Sequence, residues 1–345
     1  MRHTRSLRRS FTGVLQSGFR CDHLMIVLLL LISCGTAAAS QREEPKLVDV
    51  GGFKLNSILL NAGRQAELPP IVFIHGASTS LYDPMLSFRE RLEGRAKLLF
   101  VDRPAHGQSD SGGPENILPD GQADAIATLM DKRHIQKAII VGHSFGGAIA
   151  AALAVRHPEK VAGLVFLSPA VYPWPGGVAW YYDAARPPLI GDLFSVVVAA
   201  PLGVLAIDRA TKAVFAPNSV PAGYIEKTKA FQALRPGAFR HNAQEVGALS
   251  DWAKTFSPRY RSISAPTVII TGDADGIVSP EIHARHLARD IRGSRLIMVH
   301  NLGHKSDYVT SDLAVAAIER VAGRNVDLRS VARAVERRIA NDGKD

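Results

Sequence analysis

Short apolar runs at residues 70–74, 97–101, 137–141, 161–167, 267–271 and 295–299 alternate with stretches whose apolar positions recur at helical spacing. A run of four to eight apolar residues bounded by turn formers is the pattern of a strand covered on both faces, as in a parallel sheet flanked by helices. Between these runs the spacing predicts helices over residues 84–92, 122–134, 148–153, 280–290 and 307–322. In the second of them Ala125, Ile126, Leu129 and Met130 share one face. Ahead of the first run, residues 48–61 alternate loosely about Gly51-Gly52, which predicts a hairpin of edge strands. Strand and helix alternating with short connections predict an α/β fold with a doubly wound, mostly parallel sheet.

The alternation stops between residues 169 and 260. That stretch holds all three tryptophans (Trp174, Trp180, Trp252) and five of the seven tyrosines, with an apolar segment at 193–207 in its middle. It reads as an insertion into the sheet. Residues 324–345 are rich in charge and predict a solvated helix. The chain therefore divides into a distinct N-terminal segment (1–40), a core in two parts (45–169 and 261–323), the insertion (170–260) and a charged C-terminal tail (324–345).

The N-terminal segment sets the cellular context. Arg2, Arg5, Arg8, Arg9 and Arg20 precede the apolar run 24–32, and Ala37-Ala38-Ala39 follows it. Basic, apolar and small-residue regions in that order are the layout of an export signal. The apolar stretch falls short of the roughly 20 residues a spanning helix needs, so an uncleaved anchor is the alternative. Leu31-Ile32-Ser33-Cys34 resembles the lipobox of bacterial lipoproteins, which implies lipid attachment at Cys34 as a third route to the membrane. Arg8-Arg9-Ser10-Phe11 bears a faint likeness to a twin-arginine signal. All three readings place the protein outside the cytoplasm, in the cell envelope.

Of the 345 residues 46% are hydrophobic, enough for one large core with an inserted subdomain. Both cysteines, Cys21 and Cys34, lie in the N-terminal segment, so the folded region has neither an internal disulfide nor a thiolate metal site. The formal charge of +9 drops to +5 without residues 1–39, which carry five arginines and one aspartate. No basic stripe interleaved with aromatics occurs, so nucleic acid is not an expected partner, and the charge implies mild affinity for anionic surfaces.

The chemistry centres on Gly142-His143-Ser144-Phe145-Gly146, set between the apolar run 137–141 and the helical stretch that begins near Ala148. Gly-x-Ser-x-Gly between a strand and a helix is the nucleophile elbow, in which a sharp turn exposes the serine hydroxyl and leaves no room for side chains at the flanking glycines. A serine nucleophile needs a base, and the base needs an orienting acid. Asp273 and Asp275 follow one strand-like run, and His304 follows the next.

With the His75-Gly76-Ala77-Ser78 turn and the loop from Asp102 to Ser109, these motifs resemble the α/β-hydrolase superfamily, in the order that superfamily has them, over residues 48–322. The resemblance implies that Ser144 is the nucleophile, His304 the general base and Asp275 the acid, since Gly272-x-x-Asp275-x-x-Val278 matches the family's pattern, with Asp273 as competitor. It implies an oxyanion hole built from the backbone N–H groups of Phe145 and Ala77. A Gly-Gly-Gly-x oxyanion loop is absent, which argues against bulky tertiary-alcohol esters. It also implies that His75, His106 and Asp102 brace their loops, that His143 is a packing or hydrogen-bonding neighbour rather than a second base, and that the aromatic insertion is a helical cap over the site. Dehalogenases and epoxide hydrolases of the superfamily carry aspartate at the nucleophile, which argues against both activities. His283, His286 and His300 show no ligand pattern, so neither a metal nor any other cofactor is expected. The expected substrate is a small to medium apolar ester. An acyltransferase, a lactonase or a carbon–carbon bond hydrolase would use the same triad, and a non-catalytic binding module would keep only the fold.

Overall fold

The computed structural model describes residues 44–342; the N-terminal run 24–32, Cys21 and Cys34 lie outside them. Among the described residues the sheet has eight strands in the order β1-β2-β4-β3-β5-β6-β7-β8. They are β1 (Lys46–Asp49), β2 (Lys54–Leu60), β3 (Ile71–Ile74), β4 (Leu98–Val101), β5 (Ala138–His143), β6 (Val161–Leu167), β7 (Thr267–Gly272) and β8 (Arg295–Val299). β1 and β2 form the edge hairpin, β2 runs antiparallel to β4, and every pairing from β4 to β8 is parallel.

β3, β4, β5 and β7 are buried along their whole length because apolar clusters cover both faces. The cluster on one face takes in Ile126, Leu129 and Met130 of helix Pro119–Lys132 together with helix Phe145–Arg156. The other takes in Phe88 of helix Tyr82–Leu92 and Leu313, Ala317 and Ile318 of helix Ser311–Val321. Parallel register places the carboxyl ends of neighbouring strands together: Ile74 pairs with Gly142, His143 with Leu167, and Gly272 with Val299. The loops carrying the candidate residues therefore leave the sheet at one edge.

Three features differ from the sequence expectation. The predicted helix over 307–322 breaks at Thr310 into Ser306–Val309 and Ser311–Val321, and the predicted helix over 280–290 begins only at Ala284. The C-terminal stretch is no solvated tail. Its helix Leu328–Asn341 buries Leu328, Ala332, Val335 and Ile339 in the same cluster as Val299 and Ile318. Those four residues stand four, three and four apart, which is one face of a helix, and the charged residues between them point outward. Asp327 caps its start, accepting from Arg329 N at 3.0 Å and Ser330 N at 3.2 Å.

The insertion between β6 and β7 is mostly helical, with Trp180–Ala185, a helix running Gly191–Phe215, and the long helix Pro236–Phe256. The last packs inward through Leu249, Trp252, Ala253 and Phe256. In the segment 193–207, Leu193, Val196, Val197, Leu202, Val204 and Leu205 are all more than half exposed. An apolar segment of this length carries no information in its sequence about which side of the insertion it covers.

Candidate active site

The elbow forms because two backbones cross where only hydrogen fits. A Cβ on Gly142 would sit 2.4 Å from the carbonyl oxygen of Gly146, and one on Gly146 would sit 2.2 Å from that of Ile74. Ser144 between them has φ 53° and ψ −119°, a conformation costly for a residue with a side chain and typical of a strained functional turn. Its N–H donates to Leu167 O at 3.0 Å, which fixes the turn to β6. Helix Phe145–Arg156 starts at the next residue, so the Phe145 N–H is one of the unpaired donors of a helix N-terminus. Among the described residues neither Phe145 N–H nor Ala77 N–H has a protein acceptor.

His304 lies in the loop after β8, buried, with Nδ1 2.8 Å from Asp275 Oδ2. A carboxylate can only accept, so Nδ1 carries a proton, and in the neutral ring Nε2 keeps its lone pair. Asp275 is buried in the loop after β7, and its Oδ1 accepts from Ile277 N and Val278 N, both at 2.9 Å. Burial pushes the Asp275 carboxyl up, but the His304 hydrogen bond and charge and the two amides outweigh it and hold it below the usual carboxylate range. Asp273 belongs to another arrangement. It accepts from His300 Nδ1 and Asn301 N, both at 2.7 Å, in an exposed turn. The structure thus brings Asp275 and His304 together and leaves Asp273 at the surface.

His143 links the two halves of the site. Its ring lies 5.0 Å from the His304 ring, and its Nε2 donates to the His304 carbonyl oxygen at 3.0 Å. Burial, then the charges of Lys305 and His304, depress its pKa well below the ordinary value, so the ring is neutral. Beneath it the Lys305 ammonium is buried 2.8 Å from Asp83 Oδ2 and 2.9 Å from Asp307 Oδ2, and the Tyr224 hydroxyl donates to Asp83 Oδ1 at 2.7 Å. Asp83, His143 and Asp307 have ligand-type atoms within 4.8 Å of one another. The lysine supplies that pocket with its cation.

The loop His75-Gly76-Ala77-Ser78 is held from three directions. His75 Nδ1 donates to Gly76 O at 2.8 Å while its Nε2 accepts from Arg103 N at 3.1 Å. Asp102 accepts from Leu81 N at 2.8 Å, Asn56 Nδ2 at 2.7 Å and Gln108 N at 3.0 Å, which ties its loop together. Arg103 is fully buried. Its Nη2 donates to Gly76 O at 3.1 Å, its Nη1 to Glu245 at 3.1 Å and to Gln122 Oε1 at 3.0 Å, and its guanidinium lies over the Phe145 ring at 4.6 Å. Burial would raise the Glu245 carboxyl, but the Arg103 charge and the neighbouring histidines bring it down to about 2.

Glu245 belongs to the insertion helix Pro236–Phe256, and so does Asn242, whose Oδ1 accepts from Ser78 N at 2.9 Å. The insertion is therefore hydrogen-bonded directly to one end of the loop that carries Ala77, at Ser78, and through Arg103 to the other, at Gly76. Two further braces act on the other loops. His283 Nδ1 accepts from Val171 N at 3.1 Å and Tyr172 N at 3.0 Å, where the insertion begins. Asn218 Oδ1 accepts from Gly303 N at 2.8 Å, next to His304.

The sequence reading passed over Arg103, Asn242, Glu245, Asp83, Lys305 and Asn218. For two of them a signal existed: Asn242 and Glu245 stand on the same helix face as Ala238, Leu249, Trp252 and Phe256, polar residues inside an apolar stripe. An open cleft of about 630 Å³ lined by Ile117, Asp183, Arg186 and Gln244 includes none of Ser144, Asp275 and His304.

Residues 69–306 match the family model described as alpha/beta hydrolase fold. A putative non-heme haloperoxidase of Mycobacterium phage D29 is 32% identical over 130 residues, 37% of this chain and 44% of that protein. Pimeloyl-[acyl-carrier protein] methyl ester esterase of Neisseria meningitidis is 26% identical over 267 residues, 72% of this chain and 91% of that protein. The matches to several curated relatives span less than half of those proteins' length. Among solved structures the enol-lactonase from Burkholderia xenovorans LB400 superposes with a TM-score of 0.64 at 20% identity, covering 81% of this chain and 100% of that one.

Proposed function

The chain belongs to the alpha/beta hydrolase fold family, and from that premise we propose that it cleaves a carboxylic ester, or a related acyl bond, of a small to medium apolar substrate through an acyl-enzyme. The observation that carries the reading is the Asp275–His304 hydrogen bond of 2.8 Å, in a loop bonded to the residue that precedes the strained Ser144. Ser144 Oγ attacks the carbonyl carbon and His304 Nε2 takes its proton. Phe145 N–H and Ala77 N–H stabilise the oxyanion, each contributing about 3 kcal/mol in the transition state. His304 then protonates the leaving alkoxide. A water that gives its proton to His304 attacks the acyl carbon, and collapse of the second tetrahedral intermediate frees the acid and Ser144. Asp275 keeps the imidazole in the required tautomer and offsets its charge.

Two observations support the choice of bond and substrate. A relative aligned over most of its length is a methyl ester esterase. The Tyr182 hydroxyl lies 3.2 Å from Ser78 Oγ, which places the aromatic group Tyr181, Tyr182 and Phe239 beside the oxyanion loop. Each methylene buried against such a surface is worth about 0.8 kcal/mol, roughly fourfold in affinity. On p-nitrophenyl esters of increasing acyl length, kcat/KM should rise by about that factor per methylene and then level off. A flat profile would remove the apolar-substrate reading. Product analysis with an added alcohol or amine acceptor separates hydrolysis from acyl transfer.

The N-terminal segment, with its basic and apolar regions, supports export and attachment to the cell envelope. Labelled palmitate incorporated into the full chain and absent from Cys34→Ser would favour lipidation. Its absence from both would favour signal cleavage or an uncleaved anchor.

A further inference from the structure

The helix Gly191–Phe215 has the composition of a membrane segment and the position of a surface element. Its mean hydropathy is 1.8, yet 11% of its most apolar window is buried. No Asp, Glu, Lys or Arg occurs from Leu193 to Ile207. Leu189 and Leu205 are each 82% exposed, and Trp180 (its ring 6.1 Å from Phe194) and Phe231 extend the same apolar surface. Soluble proteins seldom expose a continuous patch of this kind unless something docks there.

This helix does not cross a bilayer. Fifteen residues without charge span about 22 Å, short of a hydrocarbon core of about 30 Å. Both ends are also fixed in the fold: Ser195 and Phe215 are buried, and Asn218 just beyond bonds to Gly303. Allowing for the wider π-helical turn at Ser195–Ala199, Leu193, Val196, Val197, Leu202, Val204 and Leu205 spread over about half of the helix circumference. A protein partner covers one stripe of a helix, whereas a lipid phase surrounds as much of it as is immersed. Exposed Asp192 and Asp208 bracket the run, and beyond Asp208 the nearest charges are basic. Arg209 and Lys212 are exposed at the end of the run, Lys227 and Lys229 follow, and residues 170–262 carry ten Lys and Arg against six Asp and Glu.

We propose that this helix, with Leu189, Trp180 and Phe231, is a docking face that lies within the surface of an anionic lipid bilayer. The apolar run sits among the acyl chains while Arg209 and Lys212 reach the headgroups. The face ends at the segment bonded to Gly303, so the docked helix borders the loop of His304. This is independent of the reaction assigned above.

The test uses the full chain with Cys21→Ser and Cys34→Ser, a nitroxide attached through Val204→Cys, and a control label through Lys137→Cys at the amino end of β5. On vesicles of phosphatidylcholine with phosphatidylglycerol, the label at 204 should become at least tenfold less accessible to a water-soluble nickel complex and more accessible to oxygen. The control label should stay in water. Leu202→Glu with Leu205→Glu, at exposed positions, should abolish the protection at 204 without changing the melting temperature. Equal nickel access at 204 with and without vesicles would overturn the proposal. So would protection already present without vesicles, which would mean that the chain's own N-terminal run or a second copy covers the face. Equal insertion into pure phosphatidylcholine would overturn the role of anionic headgroups.

Discussion

His143 Nε2 donates to the carbonyl oxygen of His304 at 3.0 Å, so the residue before the elbow serine is bonded to the residue that carries the candidate base. The two arrive from β5 and from the loop after β8, which are not neighbours in the sheet. Their alignment thus depends on side-chain bonds across the edge rather than on strand register. A misplacement of about 1 Å between reacting groups can cost two orders of magnitude in rate.

His143→Phe keeps a ring of similar size and removes the donor. Its kcat should fall by about ten- to a hundredfold with little change in KM, measured on a p-nitrophenyl ester with circular dichroism as the control for folding. An unchanged kcat would show that the bond does not position His304.

The two aspartates of the loop after β7 should behave differently. Asp275→Asn leaves a side chain that can donate to Nδ1 and so favours the wrong tautomer, with a loss of about 10⁴ in kcat. Asp273→Asn alters an exposed turn and should leave kcat within a few-fold of the parent. Steady-state kinetics of the two variants side by side decides the assignment, and the reverse order of damage would make Asp273 the acid.

Glu245 ties stability to pH. Its carboxyl is depressed from the ordinary 4.5 to about 2 in the fold. A depressed carboxyl contributes stability above its unfolded pKa and loses it as pH falls towards the folded value. The window is therefore about pH 4.5 down to pH 2. Over it the Arg103–Glu245 pair should lose on the order of 3 kcal/mol. Urea denaturation at several pH values should show a smaller slope in Glu245→Gln than in the parent. That variant should also be less stable at neutral pH, because it leaves Arg103 buried without a counter-charge. Identical slopes would remove Glu245 from the acid response.

The sheet was legible in the sequence because each inner strand is an uninterrupted apolar run bounded by turn residues. The strained turn at Ser144 was legible because it imposes glycine on both sides. What stayed hidden depends on how distant segments meet. Glu245 is one carboxylate among many until the helix Pro236–Phe256 lies across Arg103. Lys305 and Asp83 are 222 residues apart in sequence, and only the fold makes them an ion pair. The C-terminal helix was misjudged because its charged residues outnumber the four apolar ones that hold it against β8.

The central claim is that Ser144 is the nucleophile activated by His304. A reporter-tagged fluorophosphonate added to the folded full chain, followed by mass analysis of its peptides, tests it most directly. The account predicts about one equivalent of label, on the peptide containing Ser144. The label should be lost in Ser144→Ala and its formation slowed at least a hundredfold in His304→Ala. Label on another residue, or ester turnover that survives Ser144→Ala, would contradict it.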